Sequence, residues 1–130
     1  MKEKITENHA KAKEFFLEKI SFMLTPYELK EMIANNLNEI NIIDVRAYDD
    51  YIDGHIPYAI HIPFDSIEEH LVMLEKDKTN IVYGYSEFCK LPAKACYIIA
   101  TKNYPVMLLR GGYHIWEKIG FDTIKTSSDK

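Results

Sequence analysis

The sequence lacks the features that mark secreted, membrane-spanning and nucleic-acid-binding chains. Its 130 residues include only two cysteines, too few for a disulfide framework or a cysteine-based zinc site. No apolar run approaches the roughly 20 residues of a membrane span, and the start of the chain has no secretory pattern. Sixteen basic against twenty acidic residues give a formal charge of −4, which argues against binding to nucleic acid. We therefore expect a cytoplasmic protein that binds neither membranes nor nucleic acid.

What is present is an ordinary globular composition, with 47% apolar and 28% charged residues in a chain of single-domain length. Short apolar segments predict buried strands, and helical periodicity predicts helices between and after them. The predicted strands are 40–45, 60–63, 80–85 and 106–109, and the predicted helices are 67–74, 90–102 and 113–119. This alternation predicts an α/β fold in three layers, with a central mainly parallel sheet and helices on both faces.

Two more helices are predicted before the first strand. Ile5, His9, Ala12, Phe16 and Ile20 recur at spacings of four and three, which is typical of one stripe of an amphipathic helix. We expect this stripe to pack on the protein's own core, although it could instead supply a dimer or partner surface. The second helix begins at residues 25–28 (TPYE), whose spacing predicts a capping box with proline at the first helical position.

Candidate ligand sites follow the predicted strands, because ligands bind beyond the carboxyl ends of parallel strands. The segment after Tyr83 leads into a predicted helix, whose first amides and dipole favour an anion. A cysteine there would have a stabilised thiolate and become a nucleophile, and only Cys89 is available. The interpretation we favour is that Cys89 is a small residue at the helix start. Cys96 is expected to belong to the core.

Three other loop segments have both a functional and a structural interpretation. Asp44 and Arg46 could bind an anion or orient a base, but an ion pair at the strand end is the better interpretation. His55 could be a base, although a structural role is favoured. The segment Arg110-Gly111-Gly112 could pass beside an active site, because paired glycines allow positive φ and close approach, or it could form a simple turn.

No cofactor or metal site is predicted. The histidines show no ligand spacing with one another or with either cysteine. The sequence also has no P-loop, dinucleotide fingerprint, hydrolase elbow or zinc-protease motif.

Taken together, several short motifs resemble those of the rhodanese homology domain. They are IIDVR at 42–46, DYIDGHIPYAIHIP at 50–63, IVY at 81–83, Ala95-Cys96 and LRGGYHIW at 109–116. The resemblance implies a rhodanese-like domain over 25–122, a tail over 123–130, and an N-terminal helical extension over 1–24, similar to that of some bacterial single-domain members. It also implies a cradle-shaped loop that begins at a persulfide-forming cysteine. Around this loop, Asp44, Arg46, His55, Arg110, Gly111 and Gly112 are expected to be supporting residues.

At that cysteine position this sequence has Gly84, so the resemblance implies that transfer through a persulfide cannot take place there. Some family members carry a second cysteine five residues later, which matches Cys89. Tyr58 replaces a glycine of the family, and Glu87 weakens the loop as a site for anionic sulfur donors. The implied active-site loop consists of Gly84, Tyr85, Ser86, Glu87, Phe88, Cys89 and Lys90.

Two functions are expected from this departure. The first is a binding or regulatory domain with a degenerate active site and without standard sulfurtransferase activity. It would bind a small anionic or sulfur-containing ligand or a protein partner. The alternative is a sulfurtransferase or thiol relay that uses Cys89 as the sulfur-carrying nucleophile. If the loop keeps the geometry of the family, a Gly84→Cys substitution is expected to bring about sulfur transfer.

Overall fold

A computed structural model describes residues 4–126, so the predictions that fall on residues 1–3 and 127–130 lie outside the described residues. The helices are α1 (His9–Phe22), α2 (Pro26–Asn35), α3 (Tyr48–Asp53), α4 (Ile67–His70), α5 (Leu91–Thr101) and α6 (Gly112–Ile119). The strands are β1 (Met23–Leu24), β2 (Ile40–Asp44), β3 (Ala59–His61), β4 (Thr79–Tyr83) and β5 (Val106–Leu109). None of the helices within residues 4–126 is long and apolar enough to cross a membrane.

The strands form one sheet in the order β1-β5-β4-β2-β3, and each neighbouring pair is parallel. The central pair aligns Ile42 of β2 with Ile81 of β4, and Ile43 with Val82. Parallel neighbours require crossover connections, which the helices supply. The predicted α/β fold is confirmed.

Two hydrophobic clusters cover the two faces of this sheet. Successive side chains of a strand point to opposite faces, so Ile42 and Ile43 belong to different clusters although both are buried. The cluster around Ile42 includes Trp116 of α6, whereas the cluster around Ile43 includes Ile67 of α4 and Ile99 of α5. Helices therefore lie on both faces, as the three-layer prediction requires.

The prediction for residues 67–74 is wrong in its extent. The helix α4 ends at His70, and a 3-10 turn over Leu71–Met73 follows it. Ser66 makes no capping hydrogen bond with its side chain, and Asp65 lies in a 3-10 turn before α4.

The strand β1 and the helix α3 were not predicted from the sequence. They have two and six residues, too few to show a hydrophobic period.

The capping box of α2 is present as predicted. The Thr25 hydroxyl accepts from the amide of Glu28 at 3.1 Å, and the Glu28 carboxylate accepts from the amide of Thr25 at 2.8 Å. Pro26 occupies the first helical position, where the missing N–H carries no cost. This fixed start brings the chain from β1 directly into α2.

The expectation that the N-terminal stripe packs on the core is wrong. No residue of α1 is buried, and the side chains of Phe16 and Ile20 are 56% and 77% exposed. The helix contacts mainly β1 and β5 at one edge of the sheet. The two-residue edge strand β1 offers little apolar surface, so it cannot cover the stripe.

Candidate functional site

The carboxyl ends of β2, β4 and β5 bring three loops together: 45–47, 84–90 and 110–112. The first part of loop 84–90 is fixed by backbone hydrogen bonds from α6. The amide of Tyr113 donates to the Gly84 carbonyl at 2.8 Å, and the amide of His114 donates to the Tyr85 carbonyl at 2.9 Å. The Tyr85 hydroxyl donates to Asp50 at 2.8 Å and accepts from the Ala47 amide at 3.2 Å. Loop 84–90 is therefore anchored to both of its neighbours.

A buried polar network lies under this loop. Asp44 is fully buried and pairs with Arg46 at 2.8 Å, and it also accepts from the Tyr83 hydroxyl at 2.7 Å. The Arg46 Nη2 donates in addition to the carbonyl of Gly54 at 2.6 Å. The guanidinium carbon lies 4.2 Å from the centre of the Tyr113 ring. The ion pair at the strand end is therefore present and joins four segments of the chain.

The charges of this network support one another. Burial opposes the charge on Arg46, but the hydrogen bond to Asp44 and the negative charge around it together outweigh burial and raise the pKa of the guanidinium. Burial, with the Asp44 carboxylate adjacent, raises the pKa of Tyr83 far above its ordinary value. Tyr83 therefore remains a neutral hydrogen-bond donor to Asp44.

The sequence led us to expect that Glu87 places an unpaired negative charge in the loop. The structure shows instead that this charge is paired. Its carboxylate accepts from Arg110 Nη2 at 2.9 Å and from the Gly111 amide at 2.6 Å. Burial opposes ionisation, but these hydrogen bonds prevail and lower the pKa of Glu87. A neighbouring loop therefore supplies the arginine that loop 84–90 lacks in its own sequence.

Close backbone approach explains the paired glycines. Gly111 and Gly112 have φ of 80° and 61°, in the left-handed region that favours glycine. A Cβ on Gly112 would lie 2.7 Å from the Gly84 carbonyl oxygen and 2.7 Å from the Ser86 amide nitrogen. The segment Arg110-Gly111-Gly112 therefore packs directly against loop 84–90.

Gly84 itself is packed by a proline ring. A Cβ built on Gly84 would lie 2.7 Å from Cγ and 2.9 Å from Cδ of Pro92, closer than such atoms approach. Pro92 occupies the first turn of α5, where proline is favoured. Sequence reasoning missed this contact, because the proline indicates only where the helix begins.

His55 has structural partners. It is buried, its Nδ1 donates to the Tyr51 carbonyl at 2.8 Å, and its ring stacks on Tyr51 at a centroid distance of 3.9 Å. Its backbone forms an antiparallel bridge with Ile124, which ties part of the predicted tail to the domain. Nearby, Tyr58 has a φ of 70°, the conformation that would suit glycine at this position.

A cavity of about 650 Å³ opens beside loop 84–90. Its side chains come from the loop, from Arg46 and from α6, and the α6 residues that line it were not among the predicted site residues. The lining consists of Arg46, Tyr85, Ser86, Glu87, Phe88, Tyr113, His114, Ile115 and Glu117. The amides of residues 85–88 form no hydrogen bond within the described range.

The two cysteines differ in their surroundings. Cys89 is half-buried and is not one of the residues that line the cavity, and its amide donates to the Ser86 carbonyl at 3.2 Å. Cys96 packs against the core but keeps some exposure on α5, and burial raises the pKa of its thiol to about 12. Within residues 4–126, no three His, Cys, Asp or Glu side chains are grouped as metal ligands.

Comparison with known proteins agrees with this architecture. The family model described as the rhodanese-like domain matches residues 25–119. The chain belongs to the rhodanese-like domain family. The matched region of this rhodanese-like domain begins after α1 and contains the three loops of the site.

Relatives of this rhodanese-like domain have different names and lengths. It is 29% identical over 79 residues to the thiosulfate sulfurtransferase GlpE of Coxiella burnetii, covering 61% of this chain and 73% of that protein. It is 30% identical over 82 residues to the HTH-type transcriptional regulator Rv0324 of Mycobacterium tuberculosis, and this match spans 63% of this chain but only 36% of the regulator. The crystal structure of the BH2092 protein from Bacillus halodurans is 30% identical with a TM-score of 0.83, over 90% of this chain and 86% of that chain.

Proposed function

We propose that this rhodanese-like domain binds a small anion at loop 84–90 and carries no sulfur at position 84. The observation on which the proposal rests is the contact between Gly84 and Pro92. A cysteine at position 84 would need a Cβ where the Pro92 ring lies. Because the ring belongs to the first turn of α5 and is not the flexible end of a side chain, it cannot simply rotate away. Position 84 therefore has room for the hydrogen atom of glycine but not for a side chain.

Several groups of the cavity support an anionic ligand, and of its two carboxylates, Glu87 and Glu117, the first is paired with Arg110. The free amides of residues 85–88 precede the N-terminus of α5, where N–H groups and the helix dipole favour negative charge. Arg46 uses Nε and Nη2 for its buried partners, and Nη1 makes no hydrogen bond within residues 4–126. Arg46 lines the cavity, so one N–H edge of its guanidinium is available there. A sulfate-like or carboxylate oxyanion fits this set of donors.

The alternative function, with Cys89 as the sulfur carrier, has weaker support. In that reaction the Cys89 thiolate would attack the outer sulfur of a persulfide donor, form a Cys89 persulfide and release the donor thiolate. A nucleophile must lie close to the bound donor, and catalysis is sensitive to misplacement of about 1 Å. The half-buried Cys89 lies outside the set of residues that line the cavity. Both cysteines of the protein, Cys89 and Cys96, are free thiols. Free thiols are typical of a protein that acts in a reducing compartment such as the cytoplasm.

The binding proposal is tested with thiosulfate and sulfate as probes. We expect both anions to shift the NMR amide signals of residues 85–88 in a saturable manner, and thiosulfate with cyanide to yield no thiocyanate. Phe88 is 93% exposed and lines the cavity, so Phe88→Glu adds a negative charge at the mouth without disturbing the core. This variant is expected to weaken anion binding several-fold. Val72→Glu is the matched control, because Val72 is similarly exposed and does not line the cavity.

Two results would overturn the proposal. One is the absence of any saturable shift at residues 85–88. The other is thiocyanate formation by the unmodified protein that disappears in Cys89→Ser, which would establish the alternative. Mass spectrometry after treatment with a persulfide donor then locates the added sulfur.

A further inference from the structure

The helix α1 presents an unusual amount of apolar side chain to its surroundings. We use the name α1 surface for Phe15, Phe16, Leu17, Ile20 and Phe22, each of which is more than half exposed. The rings of Phe15 and Phe16 contact each other edge to face, with centroids 5.1 Å apart. A helix of 14 residues is marginal in water unless an apolar face is packed. The described residues do not supply that packing.

An apolar recess lies beside this helix, and we call it the α1–α5 groove. It has a volume of about 330 Å³, and Phe22 at the end of α1 lines it together with Tyr97 of α5. Ala93, Cys96 and Ala100 of α5 and the strand β5 contribute further lining. Among the described residues, no charged side chain lines the groove. Projecting apolar side chains and a recess that could receive them therefore share one region of the molecule.

The size of this region matches an interface between subunits. An aromatic side chain offers about 150–250 Å², so the α1 surface and Tyr97 together present on the order of 600 Å² of apolar area. The largest apolar patch on a typical monomer is about 300–600 Å², and a standard interface takes about 800 Å² from each partner. This region is therefore at the upper limit for a free surface and large enough for most of one side of a dimer.

We infer that the α1 surface and the α1–α5 groove form a symmetric interface between two copies of this chain. In a two-fold interface the same patch meets itself, which requires projections and recesses on a single surface. The charges of α1 also permit self-association, because three lysines (Lys11, Lys13, Lys19) are interspersed with Glu14 and Glu18. The patch therefore carries charges of both signs and not a field of one sign.

The test is sedimentation equilibrium of the full chain in a reducing buffer, at protomer concentrations up to about 100 μM. We expect a mass of twice 15.2 kDa at the upper concentrations. Phe16→Glu on the α1 surface and Tyr97→Glu in the groove are each expected to weaken self-association at least tenfold. Val72→Glu is the control, because it places the same charge on an equally exposed site outside both regions and is expected to leave the dimer intact.

Several results would overturn the inference. A monomer at 100 μM would do so, including a monomer whose α1 surface binds a different protein or a lipid. A dimer that survives either Phe16→Glu or Tyr97→Glu would place the interface elsewhere. Equal weakening by Val72→Glu would show that added charge, and not the location, is responsible.

Discussion

The ring of Pro92 occupies the space next to Gly84 in which a side chain at position 84 would begin. From the sequence alone, Gly84→Cys is expected to restore sulfur transfer, but the structure leads us to expect a different result. The single substitution overpacks the start of α5 and costs about 1–3 kcal/mol in the free energy of unfolding. Urea unfolding measures this loss, and thiocyanate formation from thiosulfate and cyanide is expected to stay at background.

The double variant Gly84→Cys with Pro92→Ala is expected to recover most of that stability, because alanine leaves the ring's volume free. Only in this double variant do we expect a persulfide at position 84, detected as added sulfur by mass spectrometry. Pro92→Ala alone is the control for changes in α5. If Gly84→Cys alone is as stable as the unmodified protein, the contact with Pro92 does not restrict position 84.

The hydrogen bonds of Glu87 give loop 84–90 a dependence on pH. The folded-state pKa of this carboxyl lies below its unfolded value, so ionised Glu87 stabilises the fold above the unfolded pKa. This contribution is lost as the pH falls through the folded pKa. Because the side chain is 39% exposed and therefore screened, Glu87→Gln is expected to cost only about 1 kcal/mol at neutral pH. Thermal unfolding measures the difference in melting temperature between the unmodified protein and Glu87→Gln, which is expected to be smaller at acid pH than at pH 7. A difference that does not change with pH would contradict the role assigned to ionised Glu87.

Asp44 is expected to be the most sensitive position of the network. Asp44→Asn removes the negative charge that pairs with buried Arg46, and breaking a buried pair costs about 3–5 kcal/mol. Denaturant unfolding measures the loss. Asp49→Asn on α3 is the matched control, since Asp49 is exposed and is expected to change stability by less than about 0.5 kcal/mol. Equal effects at the two positions would show that the buried pair contributes little.

Tyr58 is expected to yield a more stable protein when it is replaced by glycine. A non-glycine residue in the left-handed region costs about 1–2 kcal/mol, partly offset by the roughly 0.5–1 kcal/mol of entropy that glycine loses on folding. The Tyr58 side chain is exposed, so little packing is lost. We expect Tyr58→Gly to raise the melting temperature by a few degrees. Asn103→Gly, at the other non-glycine residue with a φ of 70°, provides a comparison with a side chain that tolerates this conformation better.

Tyr85 is expected to control the mobility of the site. Tyr85→Phe removes the hydroxyl that bonds to Asp50 and to the Ala47 amide, at a cost of about 1 kcal/mol. Hydrogen exchange of the Tyr113 and His114 amides, which donate to the Gly84 and Tyr85 carbonyls, is expected to accelerate in this variant. Tyr97→Phe is the control, because the exposed Tyr97 hydroxyl makes no hydrogen bond within the described residues. Unchanged exchange at these two amides would show that the α6 contacts alone hold the loop.

The fold followed from the sequence because buried parallel strands have an unmistakable local pattern. Ile40–Asp44 and Thr79–Tyr83 each have three apolar residues in five, and the capping residues of α2 act within four positions of one another. The predicted ion pair of Asp44 and Arg46 was equally local, since its members are two residues apart.

The decisive contacts of the site were not predictable in the same way. Glu87 meets Arg110 across 23 positions, and Gly84 meets Pro92 only because the loop folds back on the start of α5. The surroundings of α1 were misjudged for a related reason. A hydrophobic stripe indicates that some surface must cover it, but it does not indicate whether that surface belongs to the same chain.

The position of Asp44 bears on how related sequences are interpreted. Its carboxylate holds Arg46 and Tyr83, and through them the Gly54 turn and the Ile56 amide, so the scaffold of the site is also part of the core. A variant that loses these residues is expected to be destabilised whatever the chemistry of the loop. The motif around Asp44 and Arg46 is therefore part of the fold, whereas, under the proposed function, the residues at positions 84 and 92 decide whether this chain can carry sulfur at position 84.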